Sequence, residues 1–244
     1  MKIVENVADA FEACMNLTHP VGLVPTMGYL HKGHLALIRQ AVKENGSVVV
    51  SIFVNPIQFG PDEDFIVYPR DVCNDLKLLK NESVDVVFMP TVEEMYPKGY
   101  DTWVSAEQLE STLEGKHRPS HFKGVSTVVT KLFNLVRPSR AYFGQKDYQQ
   151  LILINQMVID LNMAVGIVMV PTIRESDGLA VSSRNILMSK EERDASAIVY
   201  RALSTGLMLW GNGEHRTNIL IPEMLNILSQ EPQNFDIFMA LGRA

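Results

Sequence analysis

The segment Val21-Gly22-Leu23-Val24-Pro25-Thr26-Met27-Gly28-Tyr29-Leu30-His31-Lys32-Gly33-His34 changes character halfway along. A short apolar run of strand length ends at Pro25, and a glycine-bearing turn follows. Leu35, Ile38 and Val42 then recur at the three- and four-residue spacing of an amphipathic helix. Val48–Val54 follows as a nearly continuous apolar run, the mark of a strand covered on both faces. Further on, Asp85–Met89, Ala141–Gly144 and Ala164–Val170 read as strands. Between the last strands lie two helical patterns. One places Val125, Val128, Val129, Leu132, Phe133 and Val136 on a single stripe ending before Pro138, and the other lines up Leu151, Ile154, Val158 and Leu161. Strands alternating with crossover helices predict an α/β fold, a Rossmann-like doubly wound parallel sheet.

The alternation stops at Pro171. A polar stretch, Glu175-Ser176-Asp177-Gly178, leads to Ser189 with Glu192 three residues on, a capping box that announces a helix carrying Ala195, Val199, Ala202 and Leu209. A second helical segment, Ile219–Leu228, and an apolar tail, Phe235–Leu241, complete the chain. These patterns predict a first domain over residues 1–172 and a smaller one over 173–244.

Composition narrows the function classes. With 46% hydrophobic and 20% charged positions in 244 residues, the chain has the profile of a globular protein and not of a disordered or fibrous one. Twenty-two basic residues against 28 acidic ones give −6 without a run of like charge, so the footprint expected of a nucleic-acid partner or an anionic membrane is missing. Leu151–Val170 is interrupted by Asn155, Gln156, Asp160 and Asn162 and reads as no membrane span. The N-terminus lacks a signal-peptide profile, and Cys14 and Cys73 stand without ligand or disulfide spacing, as expected for two buried small hydrophobes in a reducing, cytoplasmic setting.

Candidate site residues gather where strands end. After the first strand, Gly28 and Gly33 permit close approach of backbone to a ligand, and a helix N-terminus there offers free N–H groups to phosphate. His31 and His34, on one face at the helix start, are both able to donate hydrogen bonds to phosphate oxygens, although two turn histidines also serve as ordinary caps. A zinc reading is weaker, since neither HExxH nor a third ligand is spaced for it. After the second strand comes Asn55-Pro56-Ile57-Gln58-Phe59-Gly60, in which Gln58 suits a neutral hydroxyl or a carboxylate. Asp62-Glu63-Asp64 beyond it reads as a solvated loop. Gly144-Gln145-Lys146-Asp147-Tyr148-Gln149-Gln150 repeats the strand, glycine, helix-start arrangement. Lys146 there is either a charge beside the phosphates or a surface partner of Asp147, and Gln150 lies one turn on along the same expected helix face. Val181-Ser182-Ser183-Arg184-Asn185 has the make-up of a phosphate clamp or, taken alone, of a helix-approach turn, while Arg118 and His121 are either functional or exposed polar surface.

Taken together, Pro25–His34, Asn55–Phe59, Tyr68-Pro69-Arg70, His121-Phe122-Lys123-Gly124-Val125, Phe143–Gln150 and Asp177–Asn185 resemble the pantoate–β-alanine ligase (pantothenate synthetase) family, within the HxGH nucleotidyltransferases. The resemblance implies ATP-dependent condensation of pantoate with β-alanine through a pantoyl adenylate, with release of AMP and pyrophosphate. It also implies that Met27, Gly28, Tyr29, Leu30, His31, Lys32, Gly33 and His34 hold ATP, His34 as proton donor and His31 at the α-phosphate. Lys146 would neutralise phosphates, with Gly144, Gln145, Asp147 and the Ile173 backbone around the nucleotide. Val181, Ser182, Ser183 and Arg184 would close over the phosphates, and Gln58 and Gln150 would bracket pantoate. Mg²⁺ would accompany ATP, Asp75 being the first residue to test as its ligand, and the family pattern implies a homodimer. Family members run roughly forty residues further, so a reduced small domain is expected. A nucleotide- and pantoate-binding protein without turnover, or another HxGH nucleotidyltransferase, stays open at this point.

Overall fold

A computed structural model describes residues 1–61 and 63–231. Asp62 and the apolar tail Phe235–Leu241 lie outside the described residues. Through residue 171 the elements run β1 (Lys2–Val4), α1 (Val7–Met15), β2 (Val21–Thr26), α2 (Lys32–Glu44), β3 (Ser47–Ile52), α3 (Val72–Lys80), β4 (Val86–Phe88), α4 (Val92–Met95), α5 (Glu107–Glu110), α6 (Leu113–His117), α7 (His121–Val136), β5 (Arg140–Gly144), α8 (Tyr148–Asp160) and β6 (Gly166–Val170). The six strands form one parallel sheet in the order β1-β4-β3-β2-β5-β6.

The four central strands, β2 to β5, feed two cores, because successive side chains leave opposite faces. Leu23, Val49, Val86 and Phe143 join α1, α7 and α8 on one face; Val24, Val50, Val87 and Tyr142 join α2 and Leu79 of α3 on the other. The stripe expected on α7 is buried throughout, from Val125 to Val136, and the helix stops at Arg137 in a left-handed cap before Pro138. Two helices depart from their expected faces. On α2 the fully buried positions are Leu37, Ile38 and Ala41, with Leu35 and Val42 at the margin. On α8 the C-cap Leu161 is exposed.

The sheet reverses its winding beside β2. From β2 the chain moves through α2 to β3 on one side, whereas β5 arrives on the other and continues through α8 over the opposite face to β6. Such a switch point opens a crevice at the carboxyl ends of the strands. The register shows the opening: β2 pairs with β5 only at Gly22↔Arg140 and Leu23↔Ala141, while β2 stays paired with β3 to Thr26 and β5 with β6 to Gly144. Pro25, with no N–H to give, sits where β2 has parted from β5.

Residues 172–231 belong to a second compact unit, with α9 (Lys190–Ser196), α10 (Ile198–Gly211) and α11 (Thr217–Leu228). Ser189 and Glu192 form the expected capping box, but the single helix read after it is broken at Ala197 into α9 and α10. No helix among the described residues is long and apolar enough to cross a membrane.

One packing contact places a candidate residue directly. A Cβ on Gly124, in the first turn of α7, would fall 2.6 Å from the Gln58 backbone nitrogen and 2.7 Å from its Cα. Only glycine lets α7 lie against the turn that carries Gln58. Gly124→Ala should therefore destabilise the chain by about 1–3 kcal/mol, the usual cost of overpacking. Thermal denaturation checks this, and an unchanged midpoint would contradict so close an approach.

Candidate active site

The loop leaving β2 is held open by a single carboxylate. Gly28 has φ +83 and Tyr29 φ 49, so two successive residues are left-handed and the chain turns sharply. The turn aims two backbone N–H groups at buried Asp75 on α3: Tyr29 N to Oδ2 at 2.9 Å and Leu30 N to Oδ1 at 2.6 Å. A Cβ at Gly28 would meet that same Oδ2 at 3.0 Å. Burial pushes the Asp75 carboxyl above the usual carboxylate range, against the two N–H donors that favour its charge. Each oxygen thus accepts one backbone N–H, so Asp75 fastens the loop. Among the described residues no three His, Cys, Asp or Glu side chains converge as a metal cage.

Beyond the turn, the histidines cap α2 reciprocally. His31 is the N-cap, its Nδ1 accepting from Gly33 N at 3.1 Å, while His34 Nδ1 lies 3.4 Å from His31 N and accepts from it. A ring whose Nδ1 accepts an N–H must carry its proton on Nε2, so both rings present an Nε2–H donor. The rings stack with centroids 3.9 Å apart. Burial, and then the Lys146 charge, bring the His31 pKa down to about 4; for His34 burial, then His31 and Lys146, push it well below the ordinary range. Two neutral imidazoles therefore sit at the N-terminus of a thirteen-residue helix. Each carries an Nε2–H that is able to donate a hydrogen bond.

Across the crevice, Lys146 lies in a short 3₁₀ turn, Gln145–Asp147, directly after β5. Its Nζ is 3.1 Å from Asp147 Oδ1, and its charge reaches both histidines. Because α8 begins only at Tyr148, Lys146 and half-buried Gln150 do not share a helix face as the sequence suggested. Gln149 instead ties α8 to α5 and α6, donating to the carbonyls of Leu109 and Thr112 and accepting from Glu114 N.

Gln58 is buried at the end of the 3₁₀ turn Pro56–Gln58, and its Nε2 points at Met27 Sδ, 3.1 Å away. It therefore belongs to the β2 side of the crevice, beside the nucleotide-loop candidate Met27. His121, buried at the head of α7, has its Nδ1 2.8 Å from the Gln58 carbonyl oxygen, while Arg118 lies 3.2 Å from its Nε2. Since a guanidinium only donates, Nε2 accepts and Nδ1–H donates to Gln58 O. Burial, and then Arg118, hold the His121 pKa below its ordinary value. Arg118 also bonds Glu63 and Glu114. Arg118 and His121 are thus an internal brace and not exposed surface, and Glu63 is a half-buried ion-pair partner and not a solvated loop residue.

The second unit carries the remaining candidates. Ile173 O accepts from Val181 N at 2.9 Å, Ser182 Oγ caps the 3₁₀ turn Ser183–Leu187 at Arg184 N, and Ser183 is buried. Asp177 pairs with Arg193 at 2.6 Å. Of the cysteines, Cys14 is buried, its thiol pushed up to about 11, but Cys73 is exposed, against expectation, because it faces outward from the first turn of α3. Asn55 and Tyr96, to which the sequence pattern assigns no role, bond each other at 2.9 Å; the Asn-Pro pair opening the Gln58 turn is the signal that marks Asn55 as a cap.

The chain matches the Pantoate-beta-alanine ligase family model over residues 1–241. It is 52% identical over 232 residues to a pantothenate synthetase of Chloroflexus aurantiacus, covering 95% of this chain and 82% of that protein. A solved pantothenate synthetase from Thermus thermophilus superposes with a TM-score of 0.91 at 49% identity, covering 95% of this chain and 83% of that one. A pantoate-beta-alanine ligase from Francisella tularensis, complexed with Beta-gamma ATP and Beta-alanine, superposes with a TM-score of 0.81 at 35% identity, covering 93% of this chain and 86% of that one.

Asp75→Ala separates a fastener from a metal ligand. As a fastener, its loss leaves two N–H groups without a partner, at roughly 1–3 kcal/mol each, and the melting temperature should fall without ATP or Mg²⁺ present. An unchanged melting temperature with only a shifted Mg²⁺ dependence of activity would restore the metal role.

Proposed function

The chain belongs to the pantoate-β-alanine ligase family, enzymes that condense pantoate with β-alanine using ATP, and on that premise we propose that it works through a pantoyl adenylate formed in the β2–β5 crevice. A pantoate carboxylate oxygen attacks the α-phosphorus of ATP, forming a P–O bond as the bond to pyrophosphate breaks. The neutral amine of β-alanine then attacks the acyl carbon, the C–O bond to AMP breaks, and the nitrogen gives up its proton as the amide forms.

The observation that carries this reading is the stacked pair of neutral histidines facing Lys146. Charge grows on the α-phosphate oxygens as the carboxylate attacks, and pre-aimed donors act most strongly on charge that develops in the transition state. His31 and His34 supply Nε2–H donors that need no proton change, and Lys146 supplies a mobile positive charge for phosphates that are already anionic. The free N–H groups and dipole of the α2 N-terminus add to the same end. Gln58 faces Met27 through a weak acceptor, a thioether, which a pantoate oxygen exchanges for a stronger bond. Gln150 is assigned to pantoate with it. Gly144, Gln145 and Asp147 are assigned to the nucleotide with Lys146. Mg²⁺ brought with ATP would be held chiefly by the phosphates and water, and the steps above are those of this chain's own residues.

Pantoate-dependent exchange of labelled pyrophosphate into ATP, without β-alanine, tests the intermediate directly. The wild-type chain should exchange, and absence of exchange with net product still forming would reject a released-pyrophosphate adenylate step. His34→Ala should bind ATP within a few-fold of wild type but lose about 10²–10³ in kcat, as for removal of a single transition-state donor. Gln58→Ala should raise the KM for pantoate and leave that for ATP nearly unchanged. Equal weakening of both substrates would mean the pantoate pocket is misassigned.

A further inference from the structure

An amide has two ends, and Gln58 serves a carboxylate or hydroxyl oxygen only if its NH₂ end faces the pocket. Nothing in Gln58 itself decides this, since Oε1 and Nε2 have nearly the same shape. Its neighbours decide it. Gln58 Oε1 lies 3.3 Å from Asn55 Nδ2, and Asn55 is fully buried in the turn below. Asn55 Nδ2 also donates to the Gly124 carbonyl at 3.1 Å, while Asn55 Oδ1 accepts from Ile57 N at 3.3 Å and from the Tyr96 hydroxyl at 2.9 Å.

A backbone carbonyl only accepts and a backbone N–H only donates, so Asn55 is oriented with NH₂ toward Gly124 and Gln58. Gln58 must then turn Oε1 to Asn55 and Nε2 to the crevice. The shortest of the four contacts to the Asn55 amide comes from Tyr96, whereas the Ile57 contact on the same oxygen is long. The Tyr96 ring is itself fixed among Phe53, Tyr100 and Trp103, with centroids 6.3, 5.1 and 6.3 Å away. Lys131 lies 5.9 Å from its ring centroid.

We propose that Tyr96 is a positioning residue for substrate recognition: its hydroxyl reinforces the Asn55 orientation that the backbone sets, and so holds the Gln58 amide with its donor end toward pantoate. This rests on the reading of Gln58 as a pantoate contact. Tyr96 touches neither substrate, and its effect is confined to the amide that does. It connects a cluster of aromatic and lysine side chains, Tyr100, Trp103, Lys123 and Lys131, to the specificity of the pocket.

Tyr96→Phe keeps the ring packing and removes only the hydroxyl, so a double-mutant cycle with Gln58→Ala isolates the effect. Loss of one neutral hydrogen bond corresponds to roughly a 2- to 10-fold change. Tyr96→Phe should raise the pantoate KM by about that factor, leave the ATP KM and kcat within about twofold, and add nothing to pantoate KM in the Gln58→Ala background. A rise of equal size in both backgrounds, or a uniform loss of kcat with both KM values unchanged, overturns the positioning role. If Gln58→Ala raises pantoate KM while Tyr96→Phe does not, the relay fails and the pantoate contact stands. If Gln58→Ala itself leaves pantoate KM unchanged, the pantoate contact fails and the relay with it.

Discussion

Reciprocal capping at the start of α2 is the interaction on which the rest of the site depends. A helix N-terminus leaves backbone N–H groups without partners, and ordinary caps satisfy them with serine, threonine or aspartate. Here His31 and His34 do so with ring nitrogens. The same bonds that finish the helix also choose the tautomer, leaving each Nε2–H for something outside the chain. Burial and Lys146 suppress protonation, so two rings stacked at 3.9 Å coexist without charge repulsion. Structural and chemical demands are met by one geometry.

Everything else keeps that pair in place and gives it an open crevice. The parting of β2 and β5 after Leu23↔Ala141 provides the room, and Asp75 holds the left-handed turn that carries the chain from β2 to His31. On the opposite face of the sheet, α7 approaches the Gln58 turn as closely as glycine permits, and His121 secures the Gln58 carbonyl from the same helix. A carboxylate, a glycine and a histidine distant in sequence thus fix two short loops at the carboxyl edge of one sheet. Rigid placement of that kind is what transition-state stabilisation needs, because donors that must reorganise lose much of their advantage.

The central strands were readable because each is a short apolar run bounded by Gly or Pro, and α7 because its buried stripe has a helical period without interruption. Edge strand β1 was not, since Lys2–Val4 is too short to show any period and Ile3 is exposed. The break at Ala197 also escaped, because both α9 and α10 continue an acceptable helical pattern through a residue of high helix propensity. Local motifs located His31, His34, Lys146 and Gln58 at strand ends. What the sequence could not show was pairing over distance: Asp75 with residues 45 and 46 positions earlier, Tyr96 with Asn55 across 41, Arg118 with Glu63 across 55. Asp75 is instructive, because an acidic residue near a phosphate loop has the same letter whether it binds a cation or fastens backbone. Only the fold shows that two backbone N–H groups are fastened to its oxygens.

The direct test of this account is the protonation state of the two capping rings, measured by ¹⁵N-imidazole NMR on the ligand-free chain between pH 5 and 8. Both His31 and His34 should show a protonated Nε2 and a bare Nδ1 throughout, with no titration near 6.5; His31 should begin to protonate only as pH approaches about 4. A proton on Nδ1 of either ring, or ordinary titration of either between pH 6 and 7, would contradict the claim that helix capping preorganises them as neutral donors.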